Sequence, residues 1–379
     1  MPAGLYRALL TIAGAIAAII LAIVISSVAI IAAGASPEAA FAAFFDFGET
    51  ERAVVNGIVT MLNRAVPLYI AGLAVAVGFR MNLFNIGVEG QYRIAAVCAA
   101  YVGSTFAAPA WIQIPVIIVV AMTVGGFYAL IPAVMKVTRG VNEVIATIML
   151  NYIAINLAAF LVRGPFTGER AKGVLTTTTP TLPQSAWFPN LNVVFEMFGL
   201  PAPRGGGLWG FLLVAIVVGI VLWVVLERTR FGFDVKASGL NASAALASGV
   251  DPKKMVISAM VLSGAIAGLI GLPEILGDKH SFGSNFTPGL GFLGIAVALL
   301  GRNKPGGIAV AALLFGFLDR AQGPLQFANV PPSVIMIMQG TIVLLVVIAN
   351  EITSRIALRR EERRAAQQLG RNTPVEVAA

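Results

Sequence analysis

Cysteine and histidine are nearly missing from this chain: Cys98 and His280 stand alone in 379 residues. One cysteine excludes an internal disulfide, and Cys98 sits inside an apolar run, where it reads as a small hydrophobe. One histidine and no cysteine cluster exclude a Cys/His metal site, so no metal ligands are assigned. Charge is scarce as well. Charged residues make up 12% of the chain, against about a quarter in soluble domains. No GxxxxGK[ST] phosphate loop occurs, and no polar stretch is long enough for an ATPase domain. The chain is therefore read as a non-enzyme, with no catalytic residues and no cofactor of its own. The net charge of +8 does not point to nucleic acid. Its basic residues lie in short loops and the tail, where membrane topology accounts for them.

What is abundant is long apolar sequence. The chain is 58% hydrophobic with a mean hydropathy of +0.87. Runs of about twenty apolar residues recur without the alternation of a β-barrel, so the fold expected is an all-α polytopic membrane protein. About ten spans are read, roughly 8–33, 53–78, 81–107, 110–134, 142–163, 207–227, 255–276, 288–301, 306–320 and 333–352. With the N-terminus inside, the cytoplasmic face receives Arg7, Arg80, Lys136, Arg139, Arg228, Arg230, Lys236, Lys253, Lys254, Arg302, Lys304 and the tail arginines. The outer face receives Arg52, Arg163, Arg170, Lys172, Arg204 and Lys279. That asymmetry places both termini in the cytoplasm. Arg7, the first apolar run and Ala33-Gly34-Ala35 have the outline of a signal peptide. The run is longer than a usual signal core, and it is read as a retained span. Three regions follow: an N-terminal span and outer loop (1–52), a membrane core (53–352) and a basic cytoplasmic tail (353–379). The core holds an outer loop at 164–206 and a cytoplasmic loop at 228–254.

Polar chemistry concentrates where the helix pattern fails. NLFNIGVEGQ (82–91) puts two Asn, a Gln, a Glu and two Gly among apolar spans. Unpaired backbone in hydrocarbon costs several kcal/mol per group, so such a break needs burial in protein or water. Asn85 and Gln91 offer donors and acceptors, and Glu89 needs a partner, for which Arg93 and Arg80 are the candidates. An ordinary cytoplasmic turn is the competing reading. A second break, SFGSNFTPGLGFLGIAVALLG (281–301), precedes two apolar runs too short to cross a ~30 Å core comfortably. Breaks in both halves are the pattern of transporters that bind solute near the midplane. In GVNEVIATIMLNYIAIN (140–156), Asn142 reads as a helix cap and Asn151 as either an interhelical hydrogen bond or a path-lining group. In FGFDVKASGLNASAALASGVDPKKMV (231–256), a short helix over Ala242–Ser248 is expected, capped by Asn241 and ended near Gly249. Asp251 and Pro252 open the next helix. Asp319 adjoins Arg320, and a salt bridge near the outer surface is its expected role.

GLNASAALASGV (239–250) followed by LSGAIAGLIG (262–271) resembles the permease subunits of ABC importers for simple sugars, nucleosides and branched-chain amino acids. NLFNIGVEGQ, GVNEVIATIMLNYIA (140–154) and GFLGIAVALLGRNKPGG (291–307) narrow the resemblance to the nucleoside/simple-sugar group, over about Val54 to Asn350. The resemblance implies a multi-pass subunit of the bacterial inner membrane, paired with a second related permease. It implies two cytoplasmic ATP-binding subunits carrying ATP-Mg, and an extracytoplasmic substrate-binding protein, often a lipoprotein of the basic-membrane-protein type. It makes 241–248 a coupling helix, with Gly239, Asn241, Ala244, Ala245 and Gly249 at motif positions. It sets Asn85, Gly87, Glu89, Gly90 and Gln91 near the translocation path, to which Asn151 is added from its place in the span. A path rich in Asn and Gln, without Lys/Arg clusters at membrane depth, suits uncharged solutes such as nucleosides. An ion-coupled secondary transporter is the rival; it needs acidic relays, for which Glu89 and Asp319 are the candidates.

Overall fold

The computed structural model describes residues 3–169, 176–203, 205–327 and 329–372. Arg170, Lys172 and Arg204, three of the basic residues assigned to the outer face, lie outside that set, as does the end of the tail. The described residues are helical, and their only strand-like features are two isolated bridges, Thr178 with Gly283 and Asn190 with Trp209.

The helices run in chain order. α1 (Ala3–Ala32) and α2 (Pro37–Phe45) are followed by α3 (Glu51–Arg80), α4 (Val88–Thr105), α5 (Ala110–Arg139) and α6 (Glu143–Arg163). The 164–206 loop carries α7 (Val193–Met197). α8 (Phe211–Arg228), α9 (Arg230–Leu240), α10 (Ala242–Ala247) and α11 (Pro252–Gly268) come next. α12 (Leu272–Glu274) leads into a π-turn at Ile275–Lys279. The rest are α13 (Leu290–Leu300), α14 (Pro305–Arg320), α15 (Gln322–Phe327) and α16 (Pro332–Asn372). Side-chain caps set many of these boundaries. Thr50 accepts from Ala53 N at the start of α3, Asn142 from Val144 N at α6, and Asp251 from Lys253 N at α11, where Pro252 holds the first turn. Gly140, at φ 66, ends α5.

Among the described residues, six helices are long and apolar enough to cross a membrane unaided: Glu51–Arg80, Ala110–Arg139, Glu143–Arg163, Phe211–Arg228, Pro252–Lys279 and Pro305–Phe327. α1 and α2 meet at 118° and together make a seventh candidate. Of the other segments expected to span, α4 carries Glu89 and Arg93 in its first two turns, and α13 has only 11 residues.

The chain divides into two units. In one, made of Met1–Asp46 and Ala321–Ala379, α1 packs along α16 and α2 meets α15. The other, Phe47–Arg320, contains the polar motifs. At its centre α3 packs against α8, α11, α13 and α14. The apolar stretches of α3 and of Pro252–Lys279 are 61% buried, against 28% for α5, α6 and α8. So two helices form the interior, and the other three are less deeply buried. α5 and α11 approach closely enough that a methyl group at Gly125 would fall 2.3 Å from the Gly264 carbonyl oxygen. Small residues permit such contact between membrane helices. Near one end of this unit Asp319 pairs with Arg64 at 3.2 Å, and the Arg320 guanidinium lies 3.7 Å over the Phe47 ring. Asp319 thus finds a cation on another helix, α3.

Candidate functional site

The first break is shorter than the motif that announces it. α3 ends at Arg80, Asn82 takes a left-handed conformation (φ 56), and helix resumes at Val88. Glu89, Gly90 and Gln91 therefore form the first turn of α4, and the irregular backbone is confined to 81–87. Gly90 is tolerated inside a helix because it seats against α6, where its N–H donates to Asn151 Oδ1 at 2.8 Å. Asn151 Nδ2 donates in turn to the Ile86 carbonyl at 2.9 Å, so one side chain satisfies backbone on both sides of the helix start. Asn85 and Gln91 exchange two amide hydrogen bonds of 3.0 Å. Asn85 also donates to Ser263 Oγ at 2.9 Å, and Ser263 donates to the Ala74 carbonyl at 2.6 Å, tying the break to α11 and α3.

The second break comes to the same place. α13 starts after Gly289, whose φ of 86 needs glycine, and it has no side-chain cap of its own. The cap comes from Glu89. Gly289 N donates to Glu89 Oε1 at 2.9 Å and Gly291 N to Oε2 at 3.0 Å. Arg93 Nε donates to Oε1 at 2.9 Å. Tyr92 Oη has one proton, and the shorter contact, 2.7 Å to the Thr287 carbonyl, takes it; the Glu89 oxygen lies at 3.2 Å. Glu89 is only 1% exposed. A buried carboxylate is held there by the positive end of a helix, two backbone donors and an adjacent guanidinium. Of the two cations weighed as partners, Arg93 fills the role, while Arg80 pairs with Glu227 on α8. Gly291 is set so close that a methyl group there would lie 2.4 Å from the Glu89 backbone nitrogen.

Asn85, Glu89, Gln91 and Asn151 are thus brought together in one buried cluster, with every side-chain nitrogen and oxygen engaged by protein. The cluster joins two interrupted helices. α13 rises about 16 Å, half of a ~30 Å core.

Each break is also gripped by a connecting segment. Gly239, in the last turn of α9, presses on the end of α3: a methyl group there would fall 2.7 Å from the Arg80 carbonyl oxygen and 2.8 Å from Met81. Asn241 then caps α10, accepting from Ala244 N at 3.0 Å, and Gly249 (φ 84) closes it. Ala244 is exposed while Ala245 is buried, and Leu240 and Leu246 stand 79% and 64% exposed around this short helix. On the other break, the 164–206 loop is paired to the chain after α12. Phe188 N donates to Leu276 O, Leu182 N to His280 O, Thr179 N to Phe282 O and Ser284 N to Thr177 O, at 2.8–3.1 Å. Trp187 stacks on His280 with ring centroids 3.8 Å apart. Over 176–188 the loop is thus an ordered strap.

Sequence reasoning missed Ser263, Tyr92, Thr287 and the donor role of Gly289 and Gly291. Ser263 lies in the quoted LSGAIAGLIG, and the glycines in the second break, but nothing local links either to Glu89.

Residues 57–347 match the family described as branched-chain amino acid transport system / permease component. The glucose ABC transporter permease protein TsgB13 of Haloferax volcanii is 32% identical, covering 94% of this chain and 91% of its own. The guanosine ABC transporter permease protein NupP of Bacillus subtilis is 31% identical, over 92% of this chain and 96% of its own. The nucleoside ABC transporter permease protein NupB of Lactococcus lactis is 31% identical, over 74% and 76%. Each of these organisms has a second permease protein that also matches, over about two thirds of this chain. No solved structure matches.

Proposed function

Because the chain belongs to the branched-chain amino acid transport system permease family, we propose that it is the membrane subunit of an ABC importer that carries nucleosides inward. A related simple sugar is the alternative cargo, and ATP is hydrolysed on a separate cytoplasmic subunit. Relatives named for guanosine and nucleoside transport support the solute class, and the one named for glucose keeps the sugar in view. The orientation proposed has ten spans and both termini in the cytoplasm. A second, related permease is the expected partner, in line with the paired permeases of three organisms, and a substrate-binding lipoprotein delivers solute from outside.

One observation carries the mechanism: Glu89 joins the two interrupted helices, and a separate connecting segment grips each break. In the proposed orientation those two segments lie on opposite faces of the membrane. In this reading, closure of the partner ATPases pushes α10 through its exposed Ala244 and Leu246. Gly239 passes that movement to Arg80–Met81 without slack. The cluster of Asn85, Gln91, Asn151 and Glu89 moves the two helix starts together, so that one rearrangement opens the solute path on one face and closes it on the other. The four residues hold the wall of the path. The permease supplies two arrangements, and its partners bias them. The identity test is uptake of labelled adenosine, guanosine and ribose by cells lacking the chain, before and after it is restored. Nucleoside uptake returning with the chain is the expected outcome. Return of ribose uptake alone would move the solute to the sugar class.

A further inference from the structure

A groove of about 540 Å³ runs along the surface between α3, α8 and α14, away from the Glu89 cluster. Its walls are apolar, with Leu62, Ile216 and Leu313 toward one end and Trp223, Pro305 and Gly306 at the other. Its sides are open: Ile216 is 44% exposed and Trp223 43%. From Leu212 to Trp223 it follows α8 for 12 residues, a rise of about 16 Å, which is one leaflet of a ~30 Å core. In a membrane such a groove lies beside acyl chains.

The charge at one mouth says more. Arg228, one turn beyond Trp223, stands 5.3 Å over its ring. Lys304 immediately precedes Pro305. Both cations are exposed, and among the described residues neither has an acidic partner. The nearby acid, Glu227, is already neutralised by Arg80. An apolar groove of leaflet depth, ended by an aromatic ring and two free cations, has the shape and charge of one molecule: a chain with an anionic head.

We propose that this groove binds an anionic phospholipid, with an acyl chain along α8 and its phosphate between Arg228 and Lys304. The orientation proposed above makes it a lipid of the inner leaflet. Cations at that surface attract anionic lipid, and paired basic groups between helices hold its headgroup. Because Arg228 and Arg230 flank the start of α9, which leads into α10, the lipid braces the segment that receives the push.

The test is photo-crosslinking of the full chain, assembled with its partner subunits, in phosphatidylcholine vesicles. These carry a small fraction of either photoactivatable phosphatidylglycerol or photoactivatable phosphatidylcholine. The expected result is preferential phosphatidylglycerol labelling of peptides from α8 and α14. Arg228→Gln with Lys304→Gln should lower that preference by roughly thirty-fold, at about 1 kcal/mol per cation. Ala309→Phe, which fills the groove and keeps both cations, should cut groove labelling by either lipid, and it decides the matter if the double variant fails to assemble. Equal labelling by the two lipids in the wild type would overturn the proposal. So would groove labelling that disappears when the second permease is present, which would make the groove a protein interface. Neither readout depends on transport, so a wrong solute assignment leaves this test intact.

Discussion

The Glu89 carboxylate accepts hydrogen bonds from Gly289 N and Gly291 N, so that a residue in the first turn of α4 caps a helix 200 positions later in the chain. The same carboxylate holds Arg93, and both are largely buried. Removing the acid strands a guanidinium and two backbone donors. Glu89→Ala should therefore cost about 3–5 kcal/mol. Glu89→Gln keeps an acceptor and should cost less while still abolishing uptake. Thermal unfolding of both variants in lipid, read beside uptake, checks the order. Equal stability of Glu89→Ala and wild type would remove the clasp from the mechanism.

At Gly291 the constraint is space. A methyl group would sit 2.4 Å from the Glu89 backbone nitrogen, with no flexible side chain to yield. Gly291→Ala must separate α13 from α4, at about 1–3 kcal/mol, and should impair transport at normal membrane abundance. Gly340→Ala, on α16 and outside both the cluster and the groove, where nothing lies within 4 Å of an added methyl, is the matched control and should behave as wild type.

The two alanines of the proposed coupling helix separate into different tests. Ala244 is exposed and Ala245 is 3% exposed. Ala244→Arg should abolish uptake and co-purification with the ATPase while changing stability by no more than ~0.5 kcal/mol. Ala245→Arg buries a charge within the loop and should destabilise the protein itself. Wild-type uptake by a membrane-inserted Ala244→Arg variant would refute the docking role of α10.

The strap over 176–188 should weaken in acid. Burial pulls the His280 pKa below the ordinary 6.5, outweighing the Asp278 carboxylate, which pushes it up. The unfolded chain then binds a proton more readily than the folded one. The stability this residue contributes is complete above pH ~6.5 and is lost as the pH falls from there through the lowered folded value. His280→Asn, which tolerates the left-handed backbone at φ 52, should flatten that part of the melting-temperature profile. An unchanged profile in the variant would assign the acid sensitivity elsewhere.

What could be read from the residues was local. Asn241 before an alanine run, Asp251 before Pro252 and Asn142 before Glu143 each carry their cap in adjacent sequence, and each caps its helix. Both breaks were legible, because Gly, Asn and Pro interrupt apolar runs at Asn82 and from Gly283 to Gly291. The length of the first was not: Gly90 looks like part of the interruption until Asn151, 61 residues away, is seen to hold it in helix. Glu89 demanded a partner, and Arg93 was found one turn along. Its backbone partners were invisible, since any residue offers an N–H and only the fold selects Gly289 and Gly291. The strap over 176–188 escaped for the same reason: Thr, Pro and Gln there signal a loop, while its order comes from pairing with 276–284.

Coupling to ATP is the claim most directly open to measurement. Cells carrying the restored chain would be assayed for labelled guanosine uptake after ATP depletion, with an imposed proton gradient, and again after ATP is replenished. ATP-driven import predicts that uptake stops on depletion despite the gradient and returns with ATP. Uptake that continues in depleted cells for as long as the gradient lasts would contradict it and make the chain an ion-coupled carrier.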